Sequence, residues 1–295
     1  MLHPIAPSPA VPDACGPIEG QLVITPATPA SAARARTTWT AGEFGRIAVG
    51  YADGAAAFVD RIGPGAAHTV LDVACGTGNL ALPAARRGAI VTGLDIAPNL
   101  LEVARAAATA DGLPIRFDEG NAEEMPYADR SFDVVMSMFG VMFVGRPDRA
   151  VDELVRVARQ GGRIALASWT PTGFIGSMLR AHVAAVPPPA GAPSPLAWGV
   201  EEVMCERLAP HASRIRDLHF VRRTIWLAYP LTPAGIVDLF RKYYGPTVRA
   251  FAGLDESGQA SLTAELEGLW TTHAVSRRGL TGVDAEYLEV YVDMA

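Results

Sequence analysis

The chain has 295 residues, 49 % of them hydrophobic and 19 % charged, with a formal net charge of −6. That apolar supply builds a full core, in one large domain or in a domain with a sizeable cap. The negative balance argues against a nucleic-acid partner bound through its phosphates, and no apolar run is long enough to span a bilayer.

In chain order, residues 1 to 35 are rich in Pro, Ala, Ser and Thr without periodicity and read as a flexible tail. They lack the basic-then-apolar order of a signal peptide, so a cytoplasmic location is expected. From Thr38 to Asp60 the pattern is helical, with Trp39, Phe44, Ile47 and Ala48 on apolar faces. HTVLDVA is a strand, and NLALPAARRG is a short helix ended by Gly88. AIVTGLDI is a second strand. PNLLEVARAAATADG is a helix with Pro98 in its first turn and Gly112 at its end. IRFDEG and SFDVVMSMF are further strands, PDRAVDELVRVARQGG a helix, and RIALASWT a fifth strand. This alternation predicts a parallel, doubly wound α/β sheet covered on both faces.

After Trp169 the rhythm changes. GFIGSMLRAHVAAV is helical, and PPPAGAPSP is a loop. A strand is expected around Val221 to Ala228. Thr232 and Pro233 then read as the N-cap and first turn of a helix through GIVDLFRKYY. SLTAELEGLW repeats apolar residues at helical spacing, and EYLEVYV alternates like a strand. The expected division is a tail at 1–35, an α/β core at 36–170, and cap helices with the last strands at 171–295.

The chemistry gathers at LDVACGTGNLAL, residues 71–82. Gly76, Gly78 and Ala81 fit the dinucleotide fingerprint G-x-G-x-x-A, but a strand, glycine turn and helix start suit many anionic or nucleoside ligands. Asp95 ends the second strand, 19 residues after Gly76, where an acid accepts from both ribose hydroxyls. Asp72, inside the first strand, discriminates. A carboxylate there repels a pyrophosphate and favours an ammonium or sulfonium, although it can also serve only to bond the loop's own backbone. One loop further on, Asn121 and Ala122 can meet an adenine edge, through a side-chain amide and a main-chain N–H.

VLDVACGTGN, VTGLDIAPNLLEVAR, GNAEEMPYADRSFDVVMSMFGVMF and ELVRVARQGGRIALASWTPTGF resemble, in order and spacing, the motifs of class I S-adenosylmethionine-dependent methyltransferases. The likeness is greatest to the ubiquinone/menaquinone-type small-molecule branch, and covers residues 38 to 175. It implies a Rossmann-like seven-stranded, mostly parallel sheet whose final antiparallel strand is EYLEVYV, plus a mostly helical cap. It also implies that Asp72, Ala74 and the Gly76–Gly78 loop approach the methionine part of S-adenosylmethionine. Asp95 would bind the ribose, Ile96 would pack on adenine, and Ser137 would lie beside the donor methyl. Asn121 stands where the family commonly has Asp. Phe44 resembles an N-terminal aromatic that closes over the cofactor, and reads equally as helix core.

A methyl group leaving a sulfonium needs alignment and exclusion of water more than a base, so the acceptor side is marked weakly. Candidates for a base are His182, Tyr243 and Tyr244. Phe143, Trp169, Phe174, Trp198 and Trp226 are candidates to wall a pocket for a small apolar or aromatic acceptor. Arg222–Arg223 reads as a solvated face, and Cys75 as a small packing residue. Cys15, Cys75 and Cys205 form no C-x-x-C pair, so no metal is expected. An NAD(P)-dependent oxidoreductase on a similar sheet, and a non-catalytic S-adenosylmethionine-binding protein, remain as alternatives.

Overall fold

A computed structural model describes residues 30–295. The expected tail lies outside the described residues up to residue 29, and residues 30–35 belong to a helix. Helices α1 (Ala30–Thr40), α2 (Gly45–Ala48) and α3 (Ala52–Ile62) precede the sheet, the last two joined by a 3-10 turn at Val49–Tyr51. Next come β1 (Thr69–Val73), α4 (Ala81–Arg86), β2 (Ile90–Asp95), α5 (Pro98–Ala110) and β3 (Arg116–Glu119). They are followed by β4 (Phe132–Met138), α6 (Pro147–Val157) and β5 (Ala158–Trp169). The remainder is α7 (Phe174–Ala185), α8 (Glu201–Leu208), β6 (Ile215–Tyr229), α9 (Pro233–Tyr243), α10 (Gly245–Ala252) and α11 (Glu256–His273), then β7 (Val275–Arg277) and β8 (Leu280–Met294).

The sheet order is β3-β2-β1-β4-β5-β8-β6, with β7 paired to β8 off this path. Strands β1 to β5 pair in parallel, and β8 runs antiparallel to both β5 and β6. The expected antiparallel final strand is therefore present. The short β7 adds an eighth strand through a tight turn whose central residues, Arg278 and Gly279, take φ 53° and 77°. Two positive φ values in sequence give the turn whose twist matches a hairpin. Successive strand side chains alternate faces, yet Val70, Leu71, Asp72 and Val73 are all buried, so both faces of β1 are covered. Strand order reverses between β1 and β4, which opens a crevice at their C-terminal ends.

Local signals set several boundaries. Pro98 stands in the first turn of α5, and Thr232 caps α9 by accepting the Gly235 N–H at 3.2 Å. The helix expected to run through Gly162 stops at Val157. Ala158 pairs with Phe132, and Arg159 bonds the Asp133 carboxylate at 2.6 Å, so strand pairing takes those residues. Helices α8 and α10 had no counterpart in the sequence reading.

Helices α7, α9, α10 and α11 pack together over the C-terminal end of the sheet, and α1 joins them. Phe174 meets Trp270 at 4.7 Å between ring centroids, and Phe240 meets Trp270 at 6.0 Å. Gly245 is so close to α1 that a Cβ would stand 2.4 Å from the Thr38 carbonyl oxygen. Leu262, Leu266 and Trp270 form the buried stripe of α11, and burying such a side chain contributes about 1.5–3 kcal/mol. The cap is thus assembled from both ends of the chain. The segment after residue 170 also supplies β6 and β8. Among the described residues no helix is long and apolar enough to cross a membrane.

Candidate functional site

At the end of β1 the chain turns back through left-handed backbone, at Ala74 (φ 54°) and Gly76 (φ 54°). The Gly76 N–H donates to Asp95 Oδ2 at 2.7 Å, and the Ala97 N–H donates to Asp95 Oδ1 at 2.8 Å. The Ala81 N–H, in the first turn of α4, donates to Asp72 Oδ2 at 3.0 Å. Two carboxylates on neighbouring strands thus clamp one loop. Gly140 closes the opposite wall: a Cβ there would stand 2.6 Å from the Ala74 carbonyl oxygen, an approach only glycine permits.

These carboxylates are costly where they stand. Asp72 is 1 % exposed and Asp95 6 %. Burial pushes Asp72 well above the usual carboxylate range, the Ala81 N–H offsets part of that, and the nearby Asp95 charge adds to it. Burial raises Asp95 too, against the N–H groups of Ala97, Gly76 and Ile96. Both accept only main-chain N–H groups among the described residues. A cation beside Asp72 relieves the cost, and hydroxyl donors to Asp95 add to its stabilisation, whereas a pyrophosphate would raise it.

A cavity opens over this loop. Asp72, Ala74, Gly76, Asp95, Ile96, Asn121 and Ala122 line it, with Trp39, Phe44, Tyr51, Phe139 and Phe143 on the cap side. The Phe44 ring lies over the loop, 3.6 Å from where a Cβ on Gly76 would stand. Asn121 Oδ1 accepts the Glu123 N–H at 3.0 Å, which fixes its turn and directs its amide nitrogen elsewhere. Glu123, buried and not anticipated from sequence, accepts from the N–H groups of Gly145 (2.7 Å) and Arg146 (3.0 Å) and from Arg146 Nε (2.7 Å). It ties the Asn121–Ala122 turn to the loop beyond Phe143.

A second cavity, almost wholly apolar, adjoins the first. The two share Trp39, Phe44, Tyr51, Phe139 and Phe143, and the second adds Trp169, Phe240 and Tyr244. Trp39 is the hub, with ring centroids 5.4 Å from Phe44, 5.0 Å from Phe143 and 6.0 Å from Tyr244. Phe139 stacks on Trp169 at 3.5 Å, and its backbone is left-handed at φ 58°. A bulky residue in that region is strained by about 1–3 kcal/mol, and such strain concentrates at functional sites.

Several expected residues stand elsewhere. Gly78 serves the turn, its N–H donating to the Cys75 carbonyl at 2.9 Å. Ser137 does not line either cavity. Its hydroxyl donates to the Val73 carbonyl (2.6 Å) and accepts the Val141 N–H (3.1 Å), so it holds β4 to β1 and positions the Val141–Phe143 turn. Phe174 packs into the cap against Trp270, and Trp198 is buried under the Arg207 guanidinium, 4.9 Å from its ring centre. Trp226 lies beneath Arg277 at 4.2 Å, lining a separate groove along β6. His182 is buried in the cap with Nε2 3.2 Å from Thr247 Oγ1, outside both cavities, and burial lowers its pKa to about 4. Tyr243 is half-buried under Arg46, 4.8 Å away, and lines neither cavity. Phe143, Trp169 and Tyr244 do meet at the aromatic cavity. Arg222 and Arg223 have exposed side chains, and they pair with Glu201 (3.2 Å) and the buried Glu289 (2.7 Å). Among the described residues, Asp217, His219 and Asp293 have the composition of a metal site, but Arg163 holds Asp293 through two bonds of 2.6 and 3.0 Å.

Known proteins carry the same features. Residues 71–166 match the methyltransferase domain family. An uncharacterized protein of Mycobacterium tuberculosis (strain H37Rv) is 40 % identical over 199 residues, 67 % of this chain and 72 % of that protein. The demethylmenaquinone methyltransferase of Deinococcus radiodurans is 39 % identical over 127 residues, 42 % of this chain and 53 % of that one. The solved YcgJ protein of Bacillus subtilis shares the fold, with a TM-score of 0.55 at 18 % identity over 82 % of this chain and 99 % of its own. The chain belongs to the class I S-adenosylmethionine-dependent methyltransferases, and S-adenosylmethionine is its cofactor.

Proposed function

We propose that the enzyme methylates an oxygen, nitrogen or carbon atom of a small apolar or aromatic molecule that enters by spreading the rings of the aromatic cavity, whose enclosed space of about 20 Å³ holds little more than a water. One observation carries this reading: the loop cavity and the aromatic cavity share the wall of Trp39, Phe44, Tyr51, Phe139 and Phe143. The two cavities therefore adjoin, and movement of these shared rings would bring a ligand in one against a ligand in the other. Asp72 holds the cofactor's ammonium, with Ala74 and Gly76 against its methionine part. Asp95 accepts from the ribose hydroxyls, Ile96 packs on the adenine, and Asn121 and Ala122 meet the adenine edge. S-adenosylmethionine supplies a methyl group already activated by the sulfonium charge, and the bonding pair stays on sulfur in an in-line displacement. The protein has to align and to keep water out. Trp39 and Phe44 cover the junction, and the apolar walls exclude charged acceptors.

Incubation with methyl-labelled S-adenosylmethionine and a panel of apolar, aromatic and charged acceptors tests this. Label transfer to apolar aromatic members, reduced at least tenfold in Phe139→Ala or Trp169→Ala, is the expected result. Transfer confined to highly charged acceptors would overturn it.

A further inference from the structure

The side-chain polar groups among the residues that line the aromatic cavity are the Trp39 and Trp169 indole N–H groups and the Tyr51 and Tyr244 hydroxyls. Every buried tyrosine away from this cavity has its hydroxyl engaged. Tyr229 OH donates to the Ile47 carbonyl at 2.7 Å, and Tyr287 and Tyr291 donate to Glu289 at 2.9 and 2.8 Å. The half-buried Tyr127 donates to Asp118 at 3.0 Å. Tyr51 and Tyr244 are the exceptions. They are 5 % and 4 % exposed, and neither hydroxyl has a hydrogen-bond partner among the described residues. Tyr51 lines both cavities, and Tyr244 lines the aromatic one. Neither oxygen is among the fully enclosed polar atoms that lack a partner, so each hydroxyl reaches open space and is available to a ligand in the cavity.

Their chemistry is that of neutral donors. Burial raises the Tyr51 phenol, with Tyr244 and the Asp72 carboxylate adding to it, and burial alone raises Tyr244. Both stay protonated across physiological pH, so neither takes a proton as a base. The titratable groups near Tyr51 are Asp72 from β1, Tyr244 from the cap and Tyr229 from β6. The Tyr244 ring packs 6.0 Å from Trp39 and 5.4 Å from Phe240.

Resting on the acceptor reading above, we infer that Tyr51 and Tyr244 form a two-donor anchor for an oxygen of the acceptor. The acceptor class is then narrower than apolar: a planar aromatic or enolic molecule with an oxygen at its methylated end. Two phenols on one oxygen fix the distance of that end from the Asp72 loop, and they stabilise negative charge on it. A purely hydrocarbon acceptor would leave both hydroxyls unpaired, a penalty that binding sites use to reject such analogues.

The test uses full-length protein saturated with S-adenosylhomocysteine, so that small probes cannot enter the cofactor cavity. Fluorine NMR titrations compare 3-fluorophenol with its near-isostere 3-fluorotoluene. The wild type should prefer the phenol. Tyr51→Phe and Tyr244→Phe should each cut that preference several-fold, and the double variant should shift the ratio about tenfold toward the toluene. Tyr243→Phe, outside both cavities, should leave it unchanged. Each variant retains its ring, and the two single variants give independent readings should the double variant fold poorly. A wild type that prefers fluorotoluene, or a phenol preference unchanged in the variants, overturns the anchor while leaving the aromatic cavity as the acceptor site. If neither probe binds loaded protein, the acceptor reading itself falls.

Discussion

On the cofactor side, the cavity is walled by main-chain turns and carboxylates drawn from one stretch, residues 72–123, at the ends of β1, β2 and β3. On the cap side it is walled by rings from separate parts of the chain, Trp39, Phe44, Tyr51, Phe139 and Phe143, beyond which Trp169 and Tyr244 line the adjoining aromatic cavity. The first wall is set by hydrogen bonds to N–H groups whose positions the sheet dictates. The second is set by packing, which tolerates change if volume is kept. On the proposed reading, such a site would hold one cofactor strictly and leave acceptor choice to the rings.

The largest effects should fall on the rigid side. The double variant Asp72→Asn/Asp95→Asn should lose cofactor binding by more than about 100-fold, since hydrogen bonds to charged groups contribute roughly 1.5–3 kcal/mol each. The same change should raise the melting temperature of the cofactor-free protein. Both acids are raised in the folded state, so between their ordinary and raised pKa the folded chain binds more protons than the unfolded one. Stability without cofactor should therefore grow as pH falls through that window. Cofactor affinity, which needs the Asp72 carboxylate, should be full above the window and lost below it. Melting curves with and without S-adenosylhomocysteine across pH check both signs.

Gly140→Ala comes next. Its Cβ would sit 2.6 Å from the Ala74 carbonyl oxygen and 2.7 Å from the Ala74 Cβ. Backbone must move, at about 1–3 kcal/mol by overpacking, and denaturant melts should show it together with weakened cofactor binding.

On the cap side the expected effects are smaller. His182 has its pKa lowered from 6.5 to about 4 by burial. The unfolded chain then binds more protons between those values, so the cap's contribution is full above pH 6.5 and lost as pH falls toward 4. The loss is at most about 3 kcal/mol, and His182→Gln should flatten it in urea melts at stepped pH. Phe44→Ala should speed cofactor release several-fold in stopped-flow, since it removes the ring over Gly76 together with its packing on Trp39 and Tyr244. Trp226→Ala, in the outer groove, should change neither cofactor affinity nor methyl transfer by more than about twofold.

The same contrast explains what could be read in advance. Asp72, Gly76 and Asp95 announce themselves because their partners are near in sequence and their residue types are uncommon at those places. The parallel order and the antiparallel final strand follow from the alternation of elements. The ring wall carries no such mark. Trp39, at the core of the wall, and Trp226, outside it, look alike as apolar residues, and only the docking of α1 onto α10 separates them. Ser137 was expected to face the cofactor, but its hydroxyl is used between Val73 and Val141. The helix expected through Gly162 yields to strand pairing with Phe132, a long-range contact that periodicity does not record.

The central claim is that Asp72 holds the cationic amino-acid end of the cofactor. Calorimetric titration of the wild type and Asp72→Asn with S-adenosylhomocysteine and with 5′-methylthioadenosine, which lacks that end, addresses it directly. The substitution should weaken S-adenosylhomocysteine by about 10–100-fold and leave 5′-methylthioadenosine unchanged. Equal losses for the two ligands, or no loss for either, would contradict it.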